Sequence, residues 1–222
     1  FMDDARQKQW RFVFLLDEFE HLVGDEDFSG EDFFASLRSL TSKGKLTWIA
    51  ASFRAVYMSG TLTSPFVNLI QETAWTGPLS ENDARSLVLE PAARAGHPFD
   101  DEDVKLILQL AGRMPFLLQK AALMLYKLHL SGDDGPVGRL RFTDNFQLEI
   151  QAYFKSQLDQ FLPDEKHILF KLAQQKPLNG QPQALKQLEN YGLIEMTADG
   201  YRVLGQAFET YLRKIASDQD QQ

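Results

Sequence analysis

A chain of 222 residues, 44% hydrophobic and 24% charged, holds material for two or three small globular domains and lies outside the disordered class. Its formal net charge of -8 disfavours polyphosphate partners, and the absence of cysteine excludes disulfide scaffolds and thiolate metal sites, in keeping with a reducing compartment. No apolar run approaches the roughly 20 residues that span a bilayer. The opening Phe1-Met2-Asp3-Asp4 has no basic region leading into an apolar core. The expectation is a cytoplasmic protein with no membrane partner, beginning on Phe1 as a piece of a longer one.

Residues 11–17, Arg-Phe-Val-Phe-Leu-Leu-Asp, form an apolar run without alternation, which predicts a strand covered on both faces as in a parallel sheet. Ser29 and Asp32 predict a capped helix carrying Phe33, Phe34, Leu37 and Leu40 on one face and ending at Gly44. Residues 46–51 predict a second buried strand, giving one parallel crossover unit. A third strand is expected at 72–75. After Gly77-Pro78 the pattern turns helical. Ser80 with Asp83 caps a helix to about Ala95, Asp100 with Asp103 caps one to about Ala111, and Pro115 opens a third. Residues 131–138 read as a linker, followed by helices over 144–160 and 164–174. Residues 181–191 predict a helix that Gly192 ends. Strands at 193–196 and 201–204 follow, around the Asp199-Gly200 turn. A closing helix carries Phe208, Tyr211, Leu212 and Ile215. This is the order of a winged helix.

The chemistry concentrates at the end of the first strand. A buried strand that stops at Asp17-Glu18 holds two carboxylates at a sheet edge without flexible supports. In P-loop nucleotidases the first of such a pair holds magnesium and the second orients or deprotonates the attacking water. By itself the pattern also describes an apolar strand that runs into an acidic loop. The second strand ends in Ser52-Phe53-Arg54, and a polar residue and an arginine there suit a γ-phosphate. Neighbouring parallel strands expose their ends in one crevice, so the two tips reinforce each other.

Four segments in order carry a resemblance: Asp17-Glu18-Phe19-Glu20, Ser52-Phe53-Arg54, Gly77-Pro78-Leu79-Ser80, and Ala111-Gly112-Arg113-Met114-Pro115-Phe116-Leu117-Leu118-Gln119. Together they resemble the Walker B motif, the sensor segment, the start of the helical lid and the lid's glycine-glycine-x-proline motif of bacterial and archaeal STAND ATPases of the AAA+ class. The resemblance implies a partial P-loop α/β core over 1–77, an all-α lid over 78–130, and a linker helix with a winged helix over 131–216. Residues 217–222 are expected to form a disordered tail. It also implies ATP or ADP with Mg2+ between core and lid. In that reading Asp17 is on the metal, Glu18 and Arg54 are catalytic, and Ser52, Arg113 and Pro115 are near the nucleotide. Arg113 stands where the family has a second glycine. No Gly-x-x-x-x-Gly-Lys-Ser/Thr occurs in the chain, so the resemblance implies an N-terminal ATPase segment as partner and no activity without it. The strand edge left open by that segment is expected to drive self-association.

Other chemistry is weaker. Asp25-Glu26-Asp27-Phe28-Ser29-Gly30 begins like a calcium loop, but its twelfth position is Ser36 instead of a bidentate glutamate. His21, His97, His129 and His167 show no metal-ligand spacing. The candidate recognition helix at 181–190 carries only Lys186 as a cation, and the Asp199-Gly200 wing is not basic, which argues against DNA. The alternatives to a regulatory switch are a DNA-binding AAA+ initiator or transposition-type protein and a degenerate scaffold that binds no nucleotide.

Overall fold

The structure is a computed structural model that describes residues 12–24, 31–42, 46–53, 72–133, 135–178 and 180–219. Arg54, the calcium-like loop at 25–30, the Ser29 cap, Gly44 and residues 220–222 lie outside the described residues. The chain divides into two compact units, Phe1–Ala74 and Trp75–Gln222.

In the first unit, β1 (Phe12–Leu16) and β2 (Leu46–Ala50) pair in parallel, with Phe12 opposite Leu46 and Leu16 opposite Ala50. Between them run α1 (Phe19–Gly24) and α2 (Glu31–Ser42). Phe34 and Leu37 of α2 pack with Phe19 into a small core that Leu16, Leu22 and Trp48 flank. Apolar residues three apart on α2 cover one face of the strand pair, as a helical period requires. The expectation of a strand buried on both faces is corrected. Val13, Leu15 and Ile49 on the other face are exposed, because no described element of this unit packs against them. The expected strand at 72–75 is also corrected: these residues have no regular structure. A strand needs a partner ladder, whereas Trp75 instead makes an edge contact with Tyr191, ring centroids 6.1 Å apart.

The second unit is helical. Helices α3 (Glu81–Arg94), α4 (Asp101–Ala111) and α5 (Pro115–Leu130) pack on one another. Their starts follow from local chemistry. Ser80 Oγ accepts from the Asp83 N–H (3.1 Å), Asp100 and Asp103 form a reciprocal capping box, and Pro115 occupies the first helical turn. Ala84, Val88, Val104, Ile107, Leu118 and Leu125 build the core here. Next come α6 (Pro136–Glu149), α7 (Gln151–Asp159) and α8 (Pro163–Ala173). The linker expected over 131–138 is therefore shorter, because Pro136 starts a helix and Gly138 is buried within it. The single helix expected over 144–160 is divided at buried Ile150 into two. At the break the Ile150 N–H donates to Phe146 O and the Phe154 N–H donates to Ile150 O. Beyond it Phe154 contacts Phe208, ring centroids 4.8 Å apart.

Finally come α9 (Pro182–Asn190), the antiparallel pair β3 (Ile194–Thr197) and β4 (Gly200–Val203), and α10 (Gln206–Gln219). Helix α10 takes in Asp218 and Gln219, where a tail was expected. It packs on α8, β4 and α4, so residues 78–130 and 131–216 share one unit.

Candidate functional site

The acidic turn is held by the sheet it leaves. After β1, Asp17 and Glu18 bend into α1, and both side chains face solvent. The backbone ladder continues past the paired strands: the Ala51 N–H donates to Leu16 O (2.8 Å) and the Phe19 N–H donates to Ala51 O (2.9 Å). The Phe53 N–H donates to Glu20 Oε1 (3.2 Å). Three hydrogen bonds thus tie the segment 16–20 to the segment 51–53, and the half-buried Ser52 sits beside the acidic turn. Of the expected core-site residues, the structure brings together Asp17, Glu18 and Ser52.

The turn is locally strained. Glu18 has φ 51, a left-handed conformation that a long side chain seldom adopts. Two bonds hold it there. The Glu18 N–H donates to Asp17 Oδ1 (3.0 Å), and the His21 N–H donates to Glu18 O (2.9 Å). The His21 Nε2 lies 4.0 Å from Glu18 Oε2, with both side chains largely exposed. The donor set fits magnesium, a hard cation that takes one or two carboxylates and leaves its other positions to water and phosphate. Among the described residues no group of three or more acidic or imidazole side chains converges into a protein cage for a metal.

Arg113 and Pro115 lie in the second unit, at the turn between α4 and α5. The Arg113 guanidinium donates from Nη2 to Glu195 Oε2 on β3 (3.0 Å), and its carbonyl accepts from the Leu79 N–H (3.0 Å). Glu195 Oε1 also accepts from Arg202 Nε on β4 (2.7 Å). Arg113 therefore joins the turn to the hairpin. Arg113→Ala is expected to lower the stability of the second unit by about 1 kcal/mol, since the pair is charge-assisted but partly solvated. Urea unfolding measures it. Sequence reasoning missed Glu195 and Glu20. Nothing in local spacing marks either as the partner of a group 82 or 33 positions away.

The parallel strand pair carries two carboxylates at its edge, and a helical unit follows it in the chain. The sequence matches the family described as novel STAND NTPase 1 over residues 2–154, and the chain belongs to that family. Among solved structures, a Walker-type ATPase of Pyrococcus abyssi is similar in fold, with TM-score 0.57 and 14% identity over 91% of this chain and 63% of that one. The chain thus spans less than two thirds of that ATPase. A single-site variant of Thermotoga maritima RuvB reaches TM-score 0.48 and 13% identity over 89% of this chain and 68% of that chain, too distant to carry an argument. No curated protein matches in sequence.

Proposed function

We propose that this chain supplies the metal-and-water edge, the helical lid and a winged-helix module of an ATP-dependent STAND switch. The observation that carries the reading is the bonding of segment 51–53 to the Asp17–Glu20 turn, which joins two strand ends at one rim. Asp17 would hold Mg2+ through water, and Glu18 would orient the attacking water. Ser52 and Arg54 would face the γ-phosphate. Bound Mg2+ supplies charge neutralisation on the phosphates. The sequence has no phosphate-binding loop, so turnover requires one from outside these residues. Nucleotide state would be passed to the second unit through the turn before Pro115.

The module α8–α9–β3–β4–α10 has the element order of a winged helix, and its face favours packing within the protein over DNA. In α9, Gln187 and Leu188 are buried, and the Lys186 ammonium donates to Glu189 Oε2 (2.7 Å). That hydrogen bond, with the charge of Glu189 behind it, holds the lysine pKa above its usual value and offsets its charge locally. A salt-dependent mobility shift with duplex DNA would favour the alternative.

The reading is tested in a protein carrying both this chain and a phosphate-binding loop. Glu18→Gln is expected to lower ATP turnover by about 100-fold or more while ATP binding persists. Turnover unchanged in that variant removes Glu18 from the reaction.

A further inference from the structure

We propose that Glu20 is a positioning residue for the nucleotide site, fastening the segment that carries Ser52 to the turn that carries Asp17 and Glu18. The proposal rests on the reading above. Two ties between these segments are backbone bonds, Ala51 to Leu16 and Phe19 to Ala51, which any sequence in this ladder could make. A third depends on a side chain. The Glu20 carboxylate reaches across 33 positions to accept the Phe53 N–H. Ser52 is thereby flanked on both sides by residues bonded to the acidic turn, Ala51 before it and Phe53 after it. Without Glu20 the segment keeps its backbone bonds at Ala51 and loses this tie at Phe53.

The carboxylate is committed to this task. A glutamate that only decorated the surface would turn both oxygens to water. Glu20 Oε2 is instead shielded from solvent with no hydrogen-bond partner. Drawing a carboxylate oxygen out of water is costly, so the position is set by the protein and not by hydration. A carboxylate accepting a backbone N–H makes a charge-assisted bond, roughly twice as strong as a neutral one. Glu20 also sits two residues beyond Glu18, in the first turn of α1. One side chain therefore couples the water-orienting group to the strand end opposite, and errors of about 1 Å in such spacing cost on the order of 10²-fold in rate.

Two measurements test this. In the chain as it stands, amide exchange at Phe53, read by NMR, is expected to quicken by about tenfold in Glu20→Ala. Glu20→Gln keeps an acceptor oxygen but loses its charge, and its exchange is expected to fall between wild type and Glu20→Ala. Equal exchange in wild type and Glu20→Ala overturns the proposal. In the protein that also carries a phosphate-binding loop, Glu20→Ala should lower kcat by about 10- to 100-fold with KM changed little, and Glu20→Gln should restore most of it. Where Glu20→Ala does not fold, Glu20→Asp, one methylene too short to reach Phe53, takes its place with the same expectation. Unchanged kcat in these variants, beside a Glu18→Gln protein that has lost turnover, overturns the positioning role and leaves the proposed function standing. Full turnover in Glu18→Gln strikes the proposed function instead, and the Phe53 exchange still decides whether Glu20 makes the tie.

Discussion

Gly205→Ala is expected to destabilise the second unit by about 3 kcal/mol, combining left-handed strain with overpacking against backbone. Gly205 has φ 87, and a Cβ there would lie 3.0 Å from Ala111 C and Gly112 N and 3.1 Å from Leu110 O. All three are backbone atoms at the end of α4, which cannot step aside as a flexible side chain can. Gly112 answers from the other side, since its own Cβ would meet Gly205 N at 3.1 Å. The close approach of these two turns lets α10 lie on α4, and the Gln109 Nε2 donates to Gln206 Oε1 (3.1 Å) along the same seam. Gly96 is the control. Its φ is 85, but a Cβ there would meet nothing within 4 Å, so Gly96→Ala carries the strain alone, about 1–2 kcal/mol. Thermal or urea unfolding of both variants separates the two contributions. Equal losses would mean that the seam tolerates a methyl group. Exchange protection should fall in α4 as well as α10 in Gly205→Ala, because the contact belongs to both.

Arg139→Met is expected to cost about 3 kcal/mol, at the low end for breaking a buried ion pair because the guanidinium keeps some contact with solvent. Asp103 is 1% exposed, near the start of α4. Its Oδ2 accepts the Asp100 N–H (3.2 Å), and its own N–H donates to Asp100 Oδ1 (2.7 Å). Oδ1 is left to Arg139 Nη2 at 2.9 Å, a charge pairing without the alignment of a good hydrogen bond, with His129 Nε2 at 3.4 Å. Removing the guanidinium leaves a buried carboxylate whose charge has lost its main compensation. Arg139 also lies 3.6 Å from Glu102 and 3.8 Å from Asp100, but those carboxylates are largely exposed and lose little with it. Asp103→Asn keeps the cap acceptor and removes the charge, so the double variant Asp103→Asn, Arg139→Met should recover at least about 1 kcal/mol relative to additivity. Additive losses in chemical denaturation would show that Asp103 does not depend on Arg139.

How far these features could be read without coordinates varies with the range of the interaction. The helix starts at Ser80, Asp100 and Pro115 were legible because a cap is local chemistry, complete within four residues. The Asp17-Glu18 pair was legible as a candidate for the same reason: an apolar run closed by two carboxylates is a short pattern. Its setting was less so. The run 12–16 has no alternation and predicts two covered faces, but burial depends on what packs there, and among the described residues packing is found only on the α2 side. The helix boundary at Ile150 is not legible in the sequence because no glycine or proline marks it between 144 and 160.

The amino-acid order by itself determined most of the strand and helix identities, the helix starts at Ser80, Asp100 and Pro115, and the carboxylates available at the end of β1. It determined neither the lack of a strand at 72–75 nor the helix start at Pro136. What it did determine follows from periodicity and from side chains that bond to their own backbone neighbours. Tertiary structure decided which distant groups share a task. It set Glu20 on Phe53 and turned Arg113 towards Glu195, and it pressed Gly112 against Gly205 so that the helices after Trp75 form one unit with the hairpin. The reason is physical. A cap is chosen by residues three or four positions apart, whereas these partners meet only after packing has brought remote segments within bonding distance.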